Sequence, residues 1–186
     1  PGDLLYKDLN GDGKIDDNDM KAFPRIQRDR PTTNFALSGN FEWKGFDLSI
    51  MFQGAAGRKT FWLTANNNPD LQEARQATTW DHWTKPWSLE NRGGEWTRLG
   101  GANNRKESTF WLDNLAYLRL KNLQLGYTIP QNRLKKIGLS SIRMYVSADN
   151  LATITKFRGL DPEKEGNIND GYPLVKSFTF GINVGI

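Results

Sequence analysis

Twelve consecutive residues carry the densest chemistry in this chain: Asp8-Leu9-Asn10-Gly11-Asp12-Gly13-Lys14-Ile15-Asp16-Asp17-Asn18-Asp19. In a twelve-residue calcium loop, oxygen ligands stand at positions 1, 3, 5, 9 and 12, a backbone carbonyl at 7, and glycine at 6 for the sharp turn. Asp8, Asn10, Asp12, Asp16 and Asp19 hold the side-chain positions here, with the Lys14 carbonyl at 7 and Gly13 at 6. Ile15 supplies the apolar anchor. A hard divalent cation needs this many oxygens on a tightly curved loop, so the pattern predicts a structural Ca²⁺ site. Asp in place of Glu at the last position shortens that arm, which predicts weaker ligation and some tolerance of Mg²⁺. A solvated acidic turn is the competing reading, because Asn, Asp and Gly favour turns for local reasons. Asp3–Lys7 is too short for a helix, and Pro24 and Pro31 interrupt the segment after the loop. A bare, stiffening loop is therefore expected rather than a helix-flanked switch.

Little else points to catalysis. The chain has no Cys, which removes thiol chemistry and a disulfide framework, and its one histidine, His82, argues against a His-based triad or metal site. Glu163/Glu165 and Asp16/Asp17 are carboxylate pairs, but glycoside hydrolysis needs two carboxyls facing one bond, and these lie in loops. No nucleophile elbow, P-loop or dinucleotide fingerprint is present. No catalytic residue is assigned and no enzyme is expected. The pI near 9.3 comes from a net charge of only +4, with basic clusters such as Arg25/Arg28/Arg30 short and interrupted. Nucleic-acid binding is not expected from so mixed a surface. Trp62, Trp80, Trp83, Trp87, Trp96 and Trp111 could offer ring faces to sugars. Packing of a long loop, or a place in a membrane-interface girdle, is the expectation.

The elements that must position these residues read as strands. Phe178, Phe180, Ile182, Val184 and Ile186 alternate with Ser177, Thr179, Gly181, Asn183 and Gly185, so one face is wholly apolar and the other small and polar. A closing strand of an outer-membrane barrel, lipid outside and wet lumen inside, calls for this pattern. Residues 33–43 and 46–53 alternate in the same way around Lys44-Gly45, which predicts a hairpin. From Phe110 to Tyr127 a long strand is expected, with Leu118 and Leu120 on one phase and Leu123, Leu125 and Tyr127 on the other. A bulge near Lys121-Asn122 would reconcile them. Gln131–Ile137 suggests one helical turn closed by Gly138, and Ile142–Ala148 alternates again. A short helix is plausible over Leu71–Trp83.

Connection lengths alternate: short at 44–45 and about 129–139, long at about 55–110 and 156–174. Up-and-down barrels of the outer membrane have short periplasmic turns and long extracellular loops. On that plan the last strand runs inward to the periplasm and residues 1–32 lie outside the cell. The hydrophobic share is 37%, low for a globular domain, yet aromatics reach 12%, which argues against disorder and for half-wet strands. No run of about 18 apolar residues predicts a membrane helix, which says nothing of strands. The chain begins at Pro1 and shows no leader, so a mature piece or a fragment is expected.

Several segments carry a resemblance. They are Pro1-Gly2-Asp3 with the acidic loop, Lys44-Gly45-Phe46-Asp47-Leu48-Ser49, Phe52-Gln53-Gly54, and Tyr117-Leu118-Arg119-Leu120-Lys121-Asn122. Leu125-Gly126-Tyr127-Thr128-Ile129-Pro130, Tyr145-Val146-Ser147-Ala148-Asp149-Asn150-Leu151 and Gly159-Leu160-Asp161-Pro162-Glu163 continue it in order. Together they resemble the C-terminal end of SusC/RagA-type TonB-linked outer-membrane proteins of Bacteroidetes, departing most at about 56–108. The resemblance implies an all-β, antiparallel up-and-down transmembrane β-barrel, 22-stranded in such transporters, of which this chain holds about the last five strands. It also implies an N-terminal plug that contacts the TonB complex, a SusD-like lipoprotein lid, and import of glycans or peptides across the bacterial outer membrane. The plug and the remaining strands, which complete the barrel, lie outside this chain. The ending looks like the signal read by barrel-assembly machinery, with Thr179 the polar position, Gly181 the glycine, and Val184 and Ile186 the apolar ones.

Two other readings compete. One is a secreted, calcium-stabilised β module that binds carbohydrate or acts like a dockerin, although dockerins carry two acidic loops and this chain has one. The other is a hydrolase built on acidic loops. The apolar face of the last strand discriminates: lipid must meet it in the first reading, a second sheet must cover it in the second.

Overall fold

The computed structural model describes residues 1–22, 31–61, 85–106, 108–135, 138–158, 161–163 and 174–186. Five long strands form one antiparallel meander: β1 (Thr33–Trp43), β2 (Phe46–Ala56), β5 (Tyr117–Thr128), β6 (Ser141–Thr155) and β7 (Ser177–Gly185), hydrogen-bonded in that order. Between β2 and β5 the chain makes a two-stranded excursion, β3 (Lys59–Phe61) against β4 (Leu112–Asn114). The β1–β2 hairpin closes on two residues with positive φ, Lys44 at 47° and Gly45 at 90°, and pairs Trp43 with Phe46. Such a turn matches the twist of the strands it joins. At the same end, α1 (Gln131–Leu134) links β5 to β6, and Gly138 turns the chain back at a φ of 72°.

The register sorts the side chains into two faces. Leu37, Phe52, Leu120 and Ala152 fall in one cross-strand row; Phe41, Leu48, Leu125, Val146 and Phe180 fall in another. Both rows lie on one side, which is apolar across all five strands. The other side carries residues such as Asn40, Ser49, Gln124, Ser147 and Thr179, which pair in a third row. Phe178, Phe180 and Val184 are 74%, 67% and 55% exposed. Among the described residues, no second sheet covers the apolar side.

The expected bulge is present. Across the step from Met51 to Phe52 on β2, β5 spends two residues (Asn122 back to Leu120) and β6 spends three (Asp149 to Ala152). Lys121 is the unpaired residue of β5, and Asn150 opposite it takes a φ of 52°. The long strand expected over Phe110–Tyr127 is corrected: Thr109–Trp111 form a 3₁₀ turn, β4 comes next, and β5 starts only at Tyr117. Trp111, only 2% exposed, supplies the reason, since its burial in the loop packing bends the chain before the sheet begins. Strand β6 carries the alternation seen over Ile142–Ala148 on to Thr155, where the long connection expected from about 156 begins. The helix expected over Leu71–Trp83 lies outside the described residues.

Candidate functional site

The acidic loop is shaped by its own side chains. The Asp8 carboxylate accepts from the N–H groups of Gly11 and Gly13 at 2.6 and 2.8 Å. Asn10 accepts from Asp12 N–H, Asp12 from Lys14 N–H and Asp16 from Asn18 N–H, at 2.8–2.9 Å. Asp19 closes the loop by accepting from Leu9 N–H at 2.7 Å and Asp16 N–H at 2.9 Å. Those backbone donors, Asp16 first and Leu9 next, hold the Asp19 carboxyl below the usual carboxylate range. Asp16 and Asp19 also cap the 3₁₀ turn Asp17–Asp19 reciprocally. All six candidate ligands thus lie on one curved segment of hard oxygen donors, which suits a hard cation. Among the described residues, however, no three acidic side chains are grouped closely enough to hold an ion.

The segment before that loop is strapped to the long connection. Arg98 Nε donates to Asp3 at 2.6 Å, Leu4 N–H to Asn104 Oδ1 at 2.7 Å, and the Tyr6 hydroxyl to the Asn103 carbonyl at 2.6 Å. Arg98 in turn holds the Asp3 carboxyl below its usual range, ahead of the opposing effect of desolvation. Asn104 is 1% exposed; its carbonyl takes the Trp111 indole N–H at 2.8 Å. Phe110 packs edge-on against Trp111 at 4.9 Å, Trp96 lies within 6.3 Å of both rings, and the Arg158 guanidinium sits 4.8 Å over Trp96. Trp96 and Trp111 therefore pack the loop, as expected. Trp62, Trp80, Trp83 and His82 lie outside the described residues.

On the polar face, Asp47 and Arg143 form a bidentate ion pair at 2.5 and 2.9 Å that reaches across β5. It crosses at Gly126, where any Cβ would meet both side chains. In the same cross-strand row, the Tyr145 ring lies over Gly181 and the Arg143 guanidinium stands 5.0 Å from that ring. Of the four proposed assembly-signal residues, Gly181 is thus covered by a ring, Thr179 lies on the polar face, Val184 lies on the exposed apolar face, and Ile186 comes after the strand's end, 99% exposed.

Where β5 meets the loops, sequence reasoning missed a charged centre. Arg119, 3% exposed, donates to Asp161 at 2.8 Å, Glu163 at 2.6 Å and the Thr153 hydroxyl at 2.9 Å. Arg58 donates to the Pro162 carbonyl at 2.5 Å. Burial opposes the charged form of Asp161, but N–H donation from Glu163 and the Arg119 contact prevail and hold its carboxyl low. Glu163 is therefore joined to Arg119 rather than paired with another carboxyl, and Glu165 lies outside the described residues. The available signal was an arginine at a strand position followed, some forty residues later, by Asp-Pro-Glu.

Known proteins place this arrangement. No protein-family model matches the chain. It is 32% identical, over 99% of its length and 19% of the relative's, to the TonB-dependent receptor P3 of Formosa agariphila. To the TonB-dependent receptor SusC of Bacteroides thetaiotaomicron it is 26% identical, over 99% of its length and 18% of that protein. The RagAB peptide importer in its closed-closed state superposes with a TM-score of 0.65 at 24% identity, covering 94% of this chain and 20% of that one. Its open-open state gives 0.58 over 84% of this chain. The chain spans about a fifth of the curated relatives it matches. An uncovered apolar face, a polar face behind it and these relatives agree: the chain belongs to the SusC/RagA type of TonB-dependent receptors, β-barrel proteins of the bacterial outer membrane.

Proposed function

We propose that the chain supplies the closing strands of a TonB-dependent importer that brings oligosaccharides or peptides across the outer membrane beneath a SusD-like lipoprotein. The observation that carries the reading is the two-faced sheet: one side apolar and exposed on every strand, the other polar and cross-linked by ion pairs. In this role the polar side lines the lumen, the short turns lie at the periplasm, and the acidic loop and long connections lie outside the cell. The plug, the TonB-contacting segment and the other strands come from sequence outside this chain. Its own part is transport rather than catalysis. Thr179, Gly181, Val184 and Ile186 serve as the signal for barrel assembly. The test is deletion of the full-length gene, followed by growth on single polysaccharides or on peptides as carbon source. A lag on one source, restored by the wild-type gene, is expected; undiminished growth on every source overturns the reading.

Calcium belongs to the same reading. Asp8, Asn10, Asp12, Asp16 and Asp19 would hold the ion with the Lys14 carbonyl, and the ion would supply the positive charge that lets these oxygens crowd together. Chelation of the full-length receptor should speed proteolysis within residues 1–32, with Ca²⁺ reversing it, and Asp8→Ala with Asp12→Ala should abolish that difference. Equal cleavage with and without chelator sinks the assignment.

A further inference from the structure

One dipeptide of the acidic loop is placed to do covalent chemistry of its own. Asn10-Gly11 is the only Asn-Gly pair in the chain. With no Cβ on the glycine, the backbone nitrogen after Asn10 is unhindered and can close a five-membered ring on the side-chain carbonyl carbon. The loop supplies the remaining parts of such an acyl transfer. The Gly11 N–H, on the attacking nitrogen, donates to Asp8 Oδ1 at 2.6 Å, which puts a carboxylate where a general base belongs. Asn10 Oδ1 accepts from Asp12 N–H at 2.9 Å, so a backbone donor already faces the oxygen on which negative charge develops. The departing Asn10 Nδ2 donates to Asp12 Oδ2 at 3.1 Å. An amide N–H lies in the peptide plane, whereas the attacking electron pair stands above it. Base and electrophile therefore do not compete for one side of the nitrogen. Asn10 and Gly11 are both exposed, and a Cβ on Gly11 would meet nothing within 4 Å, so the ring has room and water has access.

We infer that Asn10-Gly11 is a self-modification site, at which the Gly11 nitrogen displaces the Asn10 side-chain nitrogen as ammonia. The Gly11 N–Cγ bond forms and the Cγ–Nδ2 bond breaks; the Gly11 proton passes to Asp8 and from there to the departing nitrogen. Water then opens the succinimide at either carbonyl, leaving aspartate or isoaspartate at residue 10. Either product adds a carboxylate to those of Asp8, Asp12, Asp16, Asp17 and Asp19, and isoaspartate also inserts a methylene into the loop backbone. Asp12-Gly13 repeats the bonding, with Gly13 N–H on Asp8 Oδ2 and Lys14 N–H on Asp12 Oδ1, both at 2.8 Å. Its electrophile is a carboxylate, a far poorer acceptor of a nucleophile than an amide, so residue 10 reacts first. Neither import nor calcium binding is needed for the reaction.

The test incubates the full-length receptor in detergent at neutral pH, with chelator because a bound cation would take the same oxygens. Trypsin cuts after Lys7 and Lys14 to release Asp8–Lys14, and mass spectrometry with enzymatic isoaspartyl methylation scores residue 10. Aspartate and isoaspartate should both accumulate there, ahead of conversion at every other Asn of the chain. Asp8→Asn keeps an acceptor for the Gly11 N–H but removes the base, and should slow the conversion about tenfold or more. Wild-type receptor unfolded in urea should also react more slowly, because it loses the base and the oxyanion donor together. A loop that merely leaves Asn10 free predicts the opposite sign in both comparisons, since loosening speeds an unassisted ring closure. Three outcomes overturn the proposal: Asn10 left unconverted, conversion without isoaspartate, or a rate in Asp8→Asn or in urea that equals or exceeds that of the folded wild type. Each of these leaves the importer and calcium readings standing, which growth of the deletion strain and protection by Ca²⁺ against protease test separately.

Discussion

The sheet and the cap of loops above it are held together by opposite means. The sheet is fixed by local repetition: neighbours pair along a meander, and its large apolar side finds no partner within the described residues. The cap is fixed by distance. Asp3 reaches Arg98, Leu4 reaches Asn104, Arg58 reaches Pro162 and Arg119 reaches Asp161, contacts spanning 42 to 104 residues of chain. A surface meant for lipid needs only a repeating outward pattern, because lipid accepts any apolar shape. A cap in water has to build an interior of its own from rings and satisfied charges.

Breaking each region separately sharpens that contrast. The largest effect is expected in the cap. Arg119→Met leaves Asp161 and Glu163 without their cation, and removing one partner of a buried ion pair costs about 3–5 kcal/mol. Protease cleavage near residues 156–176 should rise sharply while the barrel still inserts; an unchanged digestion pattern would show that the centre holds nothing. Next comes the sheet. Phe180→Arg puts a cation on the lipid side, at about 2–4 kcal/mol near mid-bilayer, whereas Thr179→Arg one residue away faces the lumen. Outer-membrane abundance should collapse for the first and hold for the second. Equal abundance of the two would falsify the assignment of faces. The smallest effect lies within the sheet, at one ring on β6 packed over β7. Gly181→Ala drives a methyl into Tyr145 and should lower thermal stability by about 1–3 kcal/mol, the usual effect of overpacking. In a Tyr145→Ala background the same change should be nearly silent; a cycle with additive effects would mean that the ring and the glycine are uncoupled.

The same contrast explains which elements were legible in the sequence. Period-two alternation named β1, β2, β6 and β7 and found the two-residue turn, because each strand's two faces meet different media. Even the bulge was legible, as a change of phase between Leu120 and Leu123. The start of β5 was not, since the apolar residues at 110–112 serve the loop packing rather than the sheet, and a short apolar run looks alike in both. The acidic loop announced itself by spacing within twelve residues. Arg119, Arg58 and Glu163 carried no such spacing, and their hydrogen bonds form only once strand and loop residues from three parts of the chain converge.

Losing one residue from a strand ordinarily exchanges its two faces beyond the cut. Lys121 is an exception of the opposite kind. It is the surplus residue against β2, so Leu120 occupies the position that regular alternation from Asn122 would assign to residue 121. Deleting its codon would leave Leu118 and Leu120 toward lipid and Arg119 inward. A frame error in space has been corrected here by one inserted lysine, and only the fan of one, two and three residues across β2, β5 and β6 would collapse with its removal.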